Sequence, residues 1–438
     1  MYDVVYIGGG LNYAGAVIAA KNSLKVALIE KSIDQLGGVC LHKGCIPSKM
    51  FLHYAYTIFQ SKDKIFNTKL KLDIQALVQK KRKIVANATK AIISKCKNID
   101  LIEAEAKLTK AHTIEANDKI IEAKHIVIGT GSSAFIPEGI EYNAKDIITS
   151  DEVLELNELP KSIAIYGDGA IGLEMSAFFA SLGVLTTLIS RNDGFLKQAH
   201  PLIQNAMKLQ LEKLDIKYLQ NHPIKKAKST FRGVHIMFEE GHSRYFDTML
   251  IATGRKPNTE VVQTDTVKVS GGILCDDFFE TTLKDHYAIG DCNGKLQLAH
   301  AARAQAINVT LRILGKNPPK IDLQKVVKFI HTQPLSYATI GKNRKILEKE
   351  KIDYKESVMP LNHFTYSLFH HADNGYMIVY ADKDSFILGA EIFAPDAQEL
   401  ISAVATVLAG EMDAPLAQKT IMAHPTFSEA LERAYFKL

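Results

Sequence analysis

One local pattern occurs twice in this chain, and it constrains the fold more than any other feature. "DVVYIGGG" is an apolar run that ends in glycines; "LNYAGAVIAAK" then reads as a helix and "KVALIE" as a second strand. "KSIAIYGDGAIGLEMSAFFASLG" followed by "VLTTLIS" repeats that order. Each is a β-α-β unit. Glycine at the first turn lets the backbone approach a pyrophosphate, and the helix N-terminus attracts its charge. Two such units imply two dinucleotides, one per unit, and two domains of similar α/β build. The chain of 438 residues, 47% hydrophobic, is long enough for two to four domains with real cores.

The two units differ at informative positions. In the first, the G-x-G-x-x-G fingerprint is met at Gly8 and Gly10, but Tyr13 holds the third position. Either Gly15 takes over the close packing or the helix sits differently. Glu30 ends the second strand, about twenty residues after Gly10, where an acid can bond ribose hydroxyls. In the second unit Gly167, Gly169 and Gly172 are all present. The acid expected for NAD is missing there: Ser190 stands in its place, followed by Arg191 and, further on, Lys197. Cations without an acid suit a 2′-phosphate, so NADP is favoured over NAD. The bland alternative is that both cations are simply exposed.

Two further strands, "HIVIGTGSSAFIP" and "TMLIATGRKPN", close on glycine turns at Gly131 and Gly254 and read as crossings between domains. "HYAIGD" ends in Asp291, a second carboxylate for a cofactor or a plain turn former.

"GGVCLHKGCIPSK" places Cys40 and Cys45 five residues apart, in a chain with five cysteines. No second pair of Cys or His is spaced to complete a zinc site, so no metal is expected. In a regular helix the two Cα atoms would lie roughly 8–9 Å apart, whereas a disulfide needs about 4.4–6.8 Å. Bridging them requires a distorted backbone, which Gly44 permits. A small strained ring near a helix N-terminus favours a labile bond and a stabilised thiolate. A flavin held by the first unit could pass electrons from a nicotinamide to such a disulfide, with Lys49 as a cation beside it. Cys96, Cys275 and Cys292 have no close partners and are expected as buried free thiols.

The net charge of +5 is spread among apolar and acidic residues, which gives no nucleic-acid surface. The chain enters a strand pattern at once, with no basic leader, and holds no run of about twenty uncharged apolar residues. A soluble, cytoplasmic protein with no membrane partner is therefore expected. In a reducing compartment a close cysteine pair is more often catalytic than structural.

In order, "GGG…E", "GGVCLHKGCIPSK", "IGTGS", "GDGAIGLE", "ATGRKPN", "AIGDCNG…QLAH" and "HPTFSE" resemble the class I pyridine nucleotide–disulfide oxidoreductases of the dihydrolipoamide dehydrogenase and glutathione reductase type. The resemblance implies a fold of two Rossmann-like domains, for FAD and NAD(P), and a C-terminal α+β dimerisation domain. It divides the chain into an FAD domain (1–148), an NAD(P) domain (149–255), a segment returning to the FAD domain (256–318) and a dimerisation domain (319–438). FAD would lie across Gly8, Gly10, Glu30, Gly38, Lys49, Gly131 and Asp291. NAD(P) would use Gly167, Gly169, Gly172, Glu174, Arg191, Lys197 and Gly254. Cys40 would attack the substrate disulfide, Cys45 would face the flavin, and Lys49 would pair with Glu174. His424 would shuttle the thiol proton, oriented by Glu429, and would serve the site of a partner subunit in a homodimer. Locally, "TFSE" also reads as a capping box with Thr426 as N-cap.

Val39 stands where most members have threonine, and the chain has no C-terminal cysteine pair of the kind some mercuric and thioredoxin reductases use. The implied activity is electron transfer between NAD(P)H and a dithiol or disulfide: a lipoyl group, a small disulfide, or an oxidant such as hypothiocyanous acid. The rivals are a flavin NAD(P)H dehydrogenase with incidental cysteines and a non-catalytic component of a multienzyme complex.

Overall fold

The first repeat builds a sheet around the strand Tyr2–Ile7. Val4 to Ile7 are all buried, as expected of a parallel strand covered on both faces. It pairs in parallel with Val26–Glu30 on one side and Lys119–Ile128 on the other. Asp100–Glu103 extends one edge, and the antiparallel strands Thr113–Ala116 and Ala106–Lys110 extend the other. His286–Ala288 joins the same sheet in parallel with Lys119–Ile128. The computed structural model describes residues 1–67 and 70–438.

Gly15, on the helix Asn12–Lys21, settles the question raised by Tyr13. A Cβ there would lie 2.5 Å from Thr310 Oγ1 and 2.8 Å from the Ala306 carbonyl. The glycine thus admits the helix Ala299–Ile313, whereas Gly172 in the second unit admits its own turn: its Cβ would meet the Gly167 carbonyl at 1.8 Å. The same sequence economy serves two different close approaches.

The second sheet is wholly parallel, in the order Lys217–Leu219, Leu185–Ile189, Ser162–Tyr166, Thr248–Ile251 and Ile147–Thr149. An antiparallel sheet of Ile224–Thr230, Gly233–Phe238 and Ser243–Phe246 is inserted before its last strand in sequence. The two crossings found in the sequence, Ser132–Ala134 and Arg255–Pro257, pair with each other as an antiparallel ribbon.

The C-terminal sheet is antiparallel: Lys328–Ile330, Ser336–Gly341, Ile387–Ala394, Tyr376–Ala381 and Lys355–Pro360 in that order. The helix Ala397–Ala409 lies against it through Ala397, Ile401, Val404 and Leu408. One apolar core runs from this sheet through the second parallel unit to the helix Cys45–Gln60. Phe51 of that helix meets Phe178 of the helix Ala170–Ser181 with ring centroids 5.6 Å apart. Both rings are fully buried, each worth about 1.5–3 kcal/mol of burial. The helix that begins at Cys45 is thereby fixed between two parts of the molecule. Among the described residues no helix is long and apolar enough to cross a membrane.

Candidate active site

The cysteine segment rests directly on the first glycine turn. The Gly37 N–H donates to the Gly9 carbonyl at 2.9 Å. Gly37 and Gly38 both take positive φ, and a Cβ on Gly38 would sit 2.8 Å from the Gly10 Cα. Only glycine permits that approach.

The short helix Gly38–His42 then ends, and the helix Cys45–Gln60 begins, with Gly44 between them at φ −138°, ψ −119°. A side chain at Gly44 would press on the Val39 carbonyl at 2.9 Å. This break brings together what a continuous helix would hold apart: the Cys40 and Cys45 thiols lie close enough to shift each other's ionisation. Both are free thiols here, and they are unequal. Cys45 is pulled down to about 7, first by the hydrogen bond from Cys40 and next by the Lys49 cation, against the opposing effect of burial. Cys40 is raised, because it donates that bond and because it is half-buried. The remaining thiols follow expectation at Cys96 and Cys292, which are buried; Cys275 is only half-buried.

Lys49, one helical turn beyond Cys45, places its Nζ 2.6 and 2.7 Å from the two carboxylate oxygens of Glu174. Glu174 also accepts from the His331 N–H at 2.9 Å, and the Phe329 ring lies 5.4 Å from the same ammonium. His331 and Phe329, which arrive from the C-terminal region, belong to no motif legible in the sequence.

Around the first turn, Glu30 accepts from the Gly9 N–H at 2.5 Å and from the Lys31 N–H at 2.8 Å. Asp291 accepts from the Ser132 hydroxyl at 2.6 Å, and that hydroxyl accepts from Arg255 Nε at 2.8 Å. Ser132 and Arg255 lie within quoted motifs, but their link to Asp291 joins residues too far apart in sequence to be read there. A Cβ on Gly10 or Gly131 would meet nothing within 4 Å. Asn12, which is buried, donates through Nδ2 to the Ile7 carbonyl while its Oδ1 has no partner. Open glycine faces, an orphaned buried acceptor and two carboxylates are what an extended dinucleotide such as FAD requires.

The second turn is similar. Gly167 has φ +114°, and Gly169 and Gly254 have open faces. Asp168 accepts from the Tyr218 hydroxyl at 2.8 Å, a residue that sequence reasoning missed. Ser190 accepts from the Asn192 N–H at 3.0 Å. The two expected cations differ: Lys197 is ion-paired with Asp193, whereas Arg191 is exposed and forms no ion pair among the described residues. These residues fit a second dinucleotide.

His424 stands apart. Its Nδ1 lies 3.0 Å from Glu429 Oε2, while Glu429 Oε1 accepts from the Thr426 N–H at 2.9 Å. The His424 contact holds the Glu429 carboxyl below its ordinary range. Half of the expected capping box therefore forms. The other half does not: the Thr426 hydroxyl donates to the Ala423 carbonyl at 2.6 Å, and the helix Ser428–Tyr435 is capped at Phe427. The imidazole is 81% exposed and makes no hydrogen bond to either cysteine of its own chain.

Two dinucleotide cradles flanking an asymmetric dithiol define a flavin-dependent NAD(P)H:disulfide oxidoreductase. The comparisons with known proteins make the assignment definite, and this chain belongs to the pyridine nucleotide-disulphide oxidoreductase family. The family's description matches residues 2–306, and that of its dimerisation domain matches residues 326–435. The chain is 31% identical to dihydrolipoyl dehydrogenase 1, mitochondrial, of Arabidopsis thaliana, over 99% of this chain and 89% of that protein. It is also 31% identical to dihydrolipoyl dehydrogenase of Bacillus subtilis (strain 168), over 99% and 97%. Among solved structures it matches an HOCl-induced flavoprotein disulfide reductase from Escherichia coli with a TM-score of 0.89 at 25% identity, covering 99% of both chains. The family binds FAD and a pyridine nucleotide.

Proposed function

We propose that the chain works as a homodimer, moving electrons between NADPH and a dithiol or disulfide through Cys40 and Cys45. The observation that carries this reading is the break at Gly44, which sets two free thiols, Cys40 and Cys45, beside the first glycine turn with Lys49 one helical turn further on. Bound FAD supplies the two-electron link between the nicotinamide and the cysteine pair. Gly8, Gly10, Gly38, Gly131, Glu30 and Asp291 would hold it, and Lys49, fixed by Glu174, would stand at its reactive edge. Gly167, Gly169, Gly172, Gly254 and Arg191 would hold the nucleotide, with Lys197 contributing less because Asp193 answers its charge.

The thiol chemistry follows from the pair. The Cys40 sulfur, as thiolate, attacks one sulfur of the substrate disulfide, forming a mixed disulfide and expelling the other half as a thiolate. The Cys45 thiolate then attacks the Cys40 sulfur, forming the Cys40–Cys45 disulfide and releasing the second half. Each departing sulfur takes one proton, so one disulfide becomes two thiols. Cys40 holds its proton firmly and needs a base. His424 of the partner subunit would act as that base through Nε2, because Nδ1 is turned to Glu429.

The relatives named above favour a dihydrolipoyl dehydrogenase-like reaction on a lipoyl group. The second reading is an NADPH-dependent reductase of a small disulfide or of hypothiocyanous acid, favoured by Ser190 and by Arg191, which has no ion-pair partner among the described residues, at the nucleotide's ribose end. The same reading keeps domains of 1–148, 149–255, 256–318 and 319–438, with the strand Ile147–Thr149 drawing the first boundary slightly earlier. Steady-state rates with NADH and NADPH against lipoamide, glutathione disulfide, coenzyme A disulfide and hypothiocyanous acid test it. A dithiol or disulfide activity lost in Cys40→Ser is expected; dye or quinone reduction that survives Cys40→Ser, with no disulfide activity in the parent, overturns it.

A further inference from the structure

A second group of chemistry-bearing side chains lies outside this site, on the inserted antiparallel sheet. His222, Glu240 and His242 bring one ligand atom each to within 4.8 Å of one another. Eighteen and twenty residues of sequence separate His222 from the other two, so no spacing motif announces the group.

The arrangement is held in place by the backbone. Glu240 and His242 flank Gly241 at the tip of a hairpin, where the Gly241 N–H donates to the Phe238 carbonyl at 3.1 Å and the Phe238 N–H donates to the His242 carbonyl at 3.0 Å. Gly241 takes φ +92°, a left-handed value that suits glycine. The Glu239 N–H donates to the Pro223 carbonyl at 3.1 Å, which ties the hairpin tip to the segment that carries His222.

The rings are oriented as ligands. His222 Nδ1 lies 2.6 Å from the Gln220 carbonyl, so that nitrogen carries the proton and Nε2 is left with its lone pair. A backbone carbonyl on the far nitrogen is the usual way a metal-binding imidazole is fixed. His242 stacks on Phe238, centroids 4.5 Å apart and planes 22° apart, and the His222 ring meets the same phenyl edge-on at 5.7 Å. His242 Nδ1 and Glu240 Oε2 are 3.5 Å apart. Two ligands at about 2.0–2.1 Å from a tetrahedral ion stand roughly 3.3 Å from each other, so this pair needs little movement.

We propose that His222, Glu240 and His242 form a binding site for a transition-metal dication of the zinc or nickel type, three protein ligands leaving one position open. Two imidazoles and one carboxylate select such ions over magnesium and calcium, which prefer all-oxygen sites. The site does not touch the cysteine pair. It stands behind the nucleotide end of the second unit: the His222 N–H donates to the Ser190 carbonyl at 2.8 Å, and the Asn221 N–H to the Asn192 carbonyl at 2.8 Å.

Zinc titration of the oxidised holoenzyme by calorimetry tests the site, since oxidation removes Cys40 and Cys45 as competing ligands. One zinc ion per chain is expected, with affinity lowered at least tenfold in both His242→Ala and the near-isosteric Glu240→Gln. His235→Ala, on the same sheet with its ring stacked on Tyr245, should leave the affinity unchanged and so control for damage to the sheet. A parent enzyme with no zinc site tighter than about 100 μM, or variants that bind like the parent while melting at the parent's temperature, would overturn the proposal.

Discussion

The Lys49 ammonium lies 2.6 and 2.7 Å from the two oxygens of Glu174, and this pair joins the helix that starts at Cys45 to the helix that follows the second glycine turn. Glu174 is only 6% exposed, so removing its cation strands a buried charge. Lys49→Met should therefore cost about 2 kcal/mol, below the full cost of breaking a buried pair because the lysine is one-third exposed. Turnover should fall at least tenfold. The double variant Lys49→Met/Glu174→Gln should be more stable than Lys49→Met alone, as chemical denaturation would show; an additive loss would mean the two are not coupled.

Cys45, drawn down to about 7 by the Cys40 hydrogen bond and by Lys49, sets a pH dependence. The thiolate fraction of the reduced enzyme rises with pH and is half-complete near 7, so alkylation by iodoacetamide should follow that midpoint. Cys40→Ala removes the donor and should move the midpoint upward, towards the ordinary thiol range near 8.5. The same thiolate should give reduced holoenzyme its long-wavelength absorbance. Persistence of that band in Cys45→Ser would contradict the assignment of Cys45 as the flavin-facing sulfur.

His424→Gln and Cys45→Ser should each be nearly inactive, the first by about 10²–10⁴-fold. Refolded or co-expressed together, they separate two arrangements. If His424 serves the partner's cysteines, each hybrid dimer holds one intact site, and a random mixture recovers about a quarter of parental activity. If the site lies within one chain, every site keeps one lesion and nothing is recovered. Glu429→Gln should lower turnover about tenfold or more and alter its pH profile, because Glu429 acts through the imidazole it orients.

Arg191, exposed and without an ion pair among the described residues, is the cation best placed to meet a 2′-phosphate. Arg191→Glu should raise KM for NADPH at least tenfold and leave NADH far less affected, a difference of about 1.4 kcal/mol or more. Equal effects on both nucleotides would remove the case for NADP.

The sequence showed most clearly those features made from contiguous residues. The strand–turn–helix units at Gly8 and Gly167 and the "GGVCLHKGC" segment were legible because glycine positions and apolar runs encode them locally. The helix break at Gly44 was also foreseen, from the distance that a regular helix would impose on two cysteines. What could not be read was relation across the chain. Arg255 is linked to Asp291 through the Ser132 hydroxyl only because two crossing strands pair, and His331 meets Glu174 only because the C-terminal region folds back. Thr426 was misread as a cap because its hydroxyl had a second acceptor, the Ala423 carbonyl, that competes for it.

The strand His286–Ala288 completes a sheet whose other strands all precede Ile128 in sequence. On the ribosome, therefore, the first nucleotide fold emerges early and stays open along Lys119–Ile128 until the whole second unit has followed it. The second unit has all its strands between Ile147 and Ile251 and can close before the first. The order of synthesis and the order of completion are thus reversed for these two folds, and a truncation anywhere before His286 would leave the earlier one with an unpaired strand edge.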